Sequence, residues 1–154
     1  MFSSSNQILE ISKSSKRSEF AFKKDSTLVA VGNVDGTIEI FSLPDWGYQH
    51  TFSEHKKLIN NIAWNPLSPD NIKKEEEKLL CHVFASGCED STIKIFHCEV
   101  DKASNTKVMK CISILKGHTK SVTCINWNPH DPTKLLSSSY DGTAQSKNIF
   151  RFAE

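Results

Sequence analysis

No uninterrupted apolar stretch in this chain approaches the ~18 residues that mark a membrane-spanning helix. The start, Met1-Phe2-Ser3-Ser4-Ser5, lacks the apolar segment of a secretion signal. The net charge of +1 carries none of the basic excess by which nucleic-acid binders usually show themselves, so only a local patch could serve a polyanion. Phosphate-cradling Gly-rich loops are missing, as are metal-ligand spacings and an isolated nucleophile beside a base, which argues against an enzyme. Five cysteines (Cys81, Cys88, Cys98, Cys111, Cys124) form no Cys-x-x-Cys pair, and their odd number fits a reducing compartment with free thiols. Cys81-His82 and His97-Cys98 come nearest to a zinc set. Adjacent strand residues point to opposite faces, however, so neither dipeptide easily gives two ligands to one ion. The expectation is an intracellular protein with no metal and no cofactor.

What the chain does have is a folded composition and a repeat. Hydrophobic residues make up 38% and charged residues 24% of 154, values of a globular domain rather than a disordered one. One tetrapeptide pattern recurs three times: Val34-Asp35-Gly36-Thr37, Glu89-Asp90-Ser91-Thr92 and Tyr140-Asp141-Gly142-Thr143. Each copy follows a short apolar and small-residue run. The first two lead into alternating segments, Thr37 to Phe41 and Thr92 to Phe96. Strand, tight turn and strand make a β-hairpin, and three similar hairpins make a repeat protein.

The order of strands predicts blades. Phe20 and Phe22, Leu28 to Val31, Ile38 with Ile40, and Tyr48 to Phe52 are four short strands in succession, the content of one propeller blade. A second unit runs from His55 through Ile59–Trp64, Leu79–Ser86, Ile93–Phe96 and Cys111–Leu115. Its polar stretches at 67–78 and 101–107 read as solvated excursions. A third opens at Gly117-His118, and Trp127-Asn128-Pro129 repeats Trp64-Asn65-Pro66 at the same 63-residue offset that separates His55 from His118. The predicted organisation is a polar segment at 1–18, blades at 19–54, 55–116 and 117–145, and a divergent tail at 146–154. The tail is set apart because Ser146 and Lys147 stand where Ile40 and Phe41 or Ile95 and Phe96 stand earlier. Either Ile149, Phe150 and Phe152 offer replacement apolar groups in a shifted register or, the reading preferred, the tail is sequence foreign to the repeat.

These residues resemble WD40 repeats. The likeness rests on Gly117-His118 (Glu54-His55 one unit earlier), the strands ending in Trp-Asn-Pro, the runs from Ser86 to Asp90 and Ser137 to Asp141, and the Asp-Gly-Thr turns. The usual terminal Trp-Asp is absent, with Phe41-Ser42 and Phe96-His97 in its place. The resemblance implies an all-β fold, a partial propeller of about three four-stranded antiparallel blades that does not close. It also implies that His55 pairs with Asp90 and Ser86, and His118 with Asp141 and Ser137. These groups imitate a hydrolase triad, but catalytic constellations are not copied once per blade, so their role should be structural.

Within the family, residues 50–145 are most similar to the WD-repeat subunits that recognise small nuclear RNA in the survival-of-motor-neuron complex. That similarity implies a role in ribonucleoprotein assembly, in cytoplasm and nucleus, with a single-stranded uridine-rich RNA and complex proteins as partners and neither a membrane nor a small-molecule substrate. Tyr140 takes the position of a base-stacking tyrosine and should project from the rim. The family's phosphate-contacting lysine aligns with Ser121, and here Lys120 lies one place earlier. The alternative is a scaffold that binds proteins through its rim and has no nucleic-acid role. About three blades form an open arc, which should leave both end faces uncovered and behave as part of a larger assembly, since propellers need roughly 4–8 blades.

Overall fold

The computed structural model describes residues 16–67, 78, 80–101 and 103–149. Most of the polar segment at 1–18, most of the polar stretch at 67–78, and the end of the tail lie outside these residues. Among the described residues, eleven strands form three separate antiparallel sheets. The first contains β1 (Arg17–Phe22), β2 (Leu28–Asn33), β3 (Ile38–Ser42) and β4 (Tyr48–Phe52) in sequential order. The second contains β5 (Ile59–Trp64), β6 (Val83–Cys88), β7 (Ile93–Asp101) and β8 (Thr106–Leu115), with a 3-10 turn at Leu80–His82 before β6. The third contains β9 (Val122–Trp127), β10 (Lys134–Ser139) and β11 (Ala144–Asn148). Among the described residues the three sheets form an open arc, with β1, β5 and β9 side by side along its inner edge. The chain is all-β and a partial propeller, as the strand pattern implied.

Each sheet packs face to face on the next. Between the first two, Ala30, Ile38, Ile40 and Phe52 meet Ile59, Ile62, Trp64, Phe84 and Phe96. Phe84 stacks on Phe96 with ring centroids 4.9 Å apart, and Phe52 leans on both. Between the second and third, Val83, Ala85, Ile93 and Ile95 meet Val122, Ile125, Trp127 and Leu135. The middle sheet is therefore covered on both faces, and β6 is buried along its whole length. That explains why it reads as a continuous apolar and small-residue run rather than an alternation. Gly87 is demanded by the same approach, because a Cβ there would come within 2.8 Å of Val122.

The tryptophans of the Trp-Asn-Pro motifs do more than end a strand. Trp64 Nε1 donates to the Ala21 carbonyl at 2.9 Å, and Trp127 Nε1 donates to the Ala63 carbonyl at 2.9 Å. Each indole thus ties its own innermost strand to that of the blade before. Asn61 accepts the Ile125 N–H at 2.9 Å, and Asn60 donates to the Val122 carbonyl at 2.7 Å.

Three expectations change. The ladder between β7 and β8 runs into the polar stretch, with pairing carried out to Asp101 opposite Thr106. Backbone pairing continues there because hydrogen bonds of the ladder do not depend on side-chain polarity. The third sheet does not stop at residue 145. β11 pairs with β10 from Ser138–Ala144 to Lys134–Asn148, and Ile149 packs against the core between blades two and three. Polar residues are tolerated in β11 because its sheet is open on one side. Finally, the two ends of the arc differ. The outer side of the first sheet buries Val29, Val31 and Phe41 with Leu43 and Trp46, whereas the third leaves Leu136 55% exposed.

Candidate functional site

The turns that carry the repeat are built alike. In each, the aspartate carboxylate accepts the backbone N–H and hydroxyl of the threonine two residues on: Thr37 to Asp35, Thr92 to Asp90, Thr143 to Asp141. The residue between them lies in the left-handed region, with φ of 90° at Gly36, 69° at Ser91 and 84° at Gly142.

In blades two and three the other carboxylate oxygen meets a histidine. His55 Nδ1 is 2.8 Å from Asp90 and its Nε2 is 2.7 Å from Ser86 Oγ. His118 Nδ1 is 2.8 Å from Asp141 and its Nε2 is 2.9 Å from Ser137 Oγ. Both sets form as the resemblance implied. Ser86 and Ser137 are buried, so neither hydroxyl can reach a substrate carbonyl, and the triad-like order is a strut. Burial raises the Asp90 carboxyl, but hydrogen bonds from His55 and Thr92 outweigh it and hold it well below the ordinary range. Asp141 is held low first by the Thr143 hydroxyl, with the Thr119 N–H and His118 adding to it. Cys88 lies close to His55 and Asp90. Burial pushes its thiol up to about 12, and both nitrogens of His55 are already engaged by Asp90 and Ser86.

Blade one has no such histidine. Its counterpart is an ionic cluster the repeat pattern gave no warning of: Arg17 pairs with Glu39 and donates to Asn33 at 3.1 Å, and Asn33 donates to Glu39 at 3.2 Å. The signal available was weak: a glutamate in the middle of β3, where Lys94 stands one blade later.

The two residues singled out for RNA fall at one corner of the rim. Tyr140 is 74% exposed, so its ring projects outward. Its N–H donates to the Ser121 carbonyl at 3.1 Å, and Ser139 Oγ donates to the Lys120 carbonyl at 3.0 Å. The loop bearing exposed Lys120 is thereby stitched to the turn bearing Tyr140. The same stitch recurs, with Val34 N–H on Lys16 and Glu89 N–H on Leu58. The rim residue differs each time: an exposed Val34, an exposed Glu89, then Tyr140. Of the three, only the tyrosine offers an aromatic platform, and Glu89 would repel a phosphate.

Comparison with known proteins agrees with this architecture. The WD domain, G-beta repeat pattern matches residues 46–97 and 109–145, more than half of the chain. The chain belongs to the WD40-repeat family. It is 33% identical over 137 residues to human Gem-associated protein 5, and equally so to the mouse protein. Those alignments cover 86% of this chain and 9% of each relative, so the chain spans about a tenth of their length. It is 29% identical to the nuclear distribution protein PAC1 of Komagataella phaffii, over 77% of this chain and 23% of that protein.

Proposed function

We propose that the chain is an RNA-recognition element of small nuclear ribonucleoprotein assembly, working in cytoplasm and nucleus with proteins of the survival-of-motor-neuron complex. Its ligand is a single-stranded, uridine-rich RNA. The observation that carries this reading is the corner formed by Tyr140 and Lys120: an outward aromatic ring on a turn hydrogen-bonded to a loop that bears a solvated lysine. A ring takes a base face and a lysine takes a phosphate, the combination by which single strands are held. The similarity to Gem-associated protein 5 over most of the chain supports the same reading. One corner gives a modest affinity, because stacking a single base is worth about 1–3 kcal/mol.

Fluorescence anisotropy with a labelled uridine-rich RNA tests it at two salt concentrations. Tyr140→Ala should weaken binding by about 5- to 150-fold, the equivalent of one lost stack. Lys120→Ala should flatten the dependence of log affinity on log salt by about 0.7, the value of one phosphate contact on a single strand. Wild-type binding that ignores salt, or equal affinity in Tyr140→Ala, would leave the rim as a platform for protein partners alone.

A further inference from the structure

The two end faces of the arc carry the two halves of one interface. Inside the arc, each innermost strand turns an apolar pair toward the blade before it: Ile62 and Trp64 on β5, Ile125 and Trp127 on β9. Register puts Phe20 and Phe22 of β1 in the same places, because Phe22 pairs with Val29 as Trp64 pairs with Phe84 and Trp127 with Leu135. Phe20 and Phe22 are 63% and 52% exposed and meet edge to face, with ring centroids 5.9 Å apart. Leu43 and Trp46 pack on Val29, Val31 and Phe41 of the same face but leave both rings in solvent.

At the other end lies the matching socket. Ala21, Ala30 and Ile40, a row across the first sheet, share a core with Trp64, and Ala63, Ala85 and Ile95 across the second share one with Trp127. The third sheet sets Asn126, Leu136 and Ser146 in that row. With Pro129 and Lys134 they line a cleft of about 370 Å³, and the Lys134 ammonium is paired with Asp131 at 2.9 Å. We propose that the occupant is a second copy of this chain: Phe22 of each copy enters the cleft beside Leu136 of the other. Three sheets from each copy then close a ring of six blades, within the roughly 4–8 that propellers use. Continuity points to a copy rather than to an unrelated apolar partner. The junction repeats the face-to-face packing of blade one on two and of two on three, and each chain supplies both halves. Phe22 meeting Leu136 in one direction and Leu136 meeting Phe22 in the other is what twofold symmetry requires. Head-to-head pairing lacks this fit, since it sets projecting rings against rings and cleft against cleft. Asn126 and Ser146 stand where Ala63 and Ile95 stand one sheet earlier, so the junction buries less apolar surface than those inside the arc and is reversible. The indoles of Trp64 and Trp127 also donate to the Ala21 and Ala63 carbonyls. Phe22 has no such donor, and the carbonyl in that register on the third sheet belongs to Asn126.

The test is sedimentation velocity of the full chain over a range of concentrations, where monomer should pass to dimer and grow no further. Phe22→Lys and Leu136→Lys alter exposed side chains, so both should fold, checked by circular dichroism. Each should weaken dimerisation at least roughly 100-fold, because an unpaired ammonium is pressed into an apolar contact. Mixing the two variants should restore association above that of either alone, since the intact cleft of Phe22→Lys still accepts the intact ring of Leu136→Lys. Head-to-head pairing gives no such rescue. Phe22→Trp should dimerise roughly fivefold more tightly, the worth of one net hydrogen bond to the Asn126 carbonyl. Tyr140→Ala should dimerise as wild type does, which separates this surface from the RNA reading. A monomer at every concentration, growth beyond the dimer, or a dimer indifferent to Phe22→Lys would each overturn the proposal. So would a mixture without rescue, or a Phe22→Trp dimer no tighter than wild type.

Discussion

Ser91 shows how a single residue carries a cost that its repeat mates avoid. It holds φ 69° where Gly36 and Gly142 stand in the other turns. A side chain in the left-handed region costs about 1 kcal/mol or more, so Ser91→Gly should stabilise the chain by roughly 1 kcal/mol in urea unfolding. Gly142→Ala is the converse. Nothing lies within 4 Å of a Cβ at that position, so its loss, of similar size, would be conformational strain alone. Equal stability of Ser91→Gly and wild type would refute the account. Thiol chemistry is also decided residue by residue. Cys124 is exposed, whereas burial pushes Cys88 and Cys98 up to about 12. At neutral pH a thiol reagent should label Cys124 in the native protein and reach Cys88 and Cys98 only after denaturation, as peptide mass mapping would show.

At the scale of the element, each blade's turn is held by an aspartate whose ionised form collects several donors. Asp90 and Asp141 both titrate below their unfolded values. The stability they contribute is complete above the unfolded carboxylate pKa, about 3.9, and is lost as pH falls through the lower folded values. Urea midpoints should hold steady at neutral pH and drop below about pH 4, and Asp141→Asn should be less stable at neutral pH with a shallower acid slope. An unchanged slope in that variant would show the turns to be irrelevant to acid unfolding. Asp25 and Asp131 are shifted in the same direction, so the slope should shrink without vanishing. The histidine–serine–aspartate sets were legible beforehand through the WD40 resemblance, which carries the pairing onto both blades although the histidine-to-aspartate spacing differs between them. The ionic replacement in blade one was not, since Arg17, Asn33 and Glu39 come from three strands and share no motif.

For the whole molecule, the asymmetry of the arc matters most. Past an irregularity next to the buried Val122, the third sheet has Ile125, Trp127 and Leu135 inward and Cys124, Asn126 and Leu136 outward. Among the described residues nothing pairs with the far edge of β11 or covers Leu136. An open edge beside an apolar side chain invites another sheet. Sedimentation velocity should show concentration-dependent association of this polypeptide, reduced by Leu136→Lys. A monomer at all concentrations would contradict it.

Sequence by itself determined the local units: hairpin turns use Asp-Gly-Thr or Asp-Ser-Thr chemistry, alternation dictates which strand face is buried, and the 63-residue offset shared by His55–His118 and Trp64–Trp127 aligns the first strands of blades two and three. The family resemblance marked Tyr140, and its place just before a turn aspartate put its ring at the rim, where it is 74% exposed. Tertiary structure decided the rest. The indole bonds between blades, the extension of β7 and β8, and the continuation of β11 through polar residues all depend on neighbours far apart in the chain. Backbone ladders form wherever two strands lie in register, whatever the side chains. A one-dimensional pattern records only which face is apolar, not which residues from distant strands come to share it.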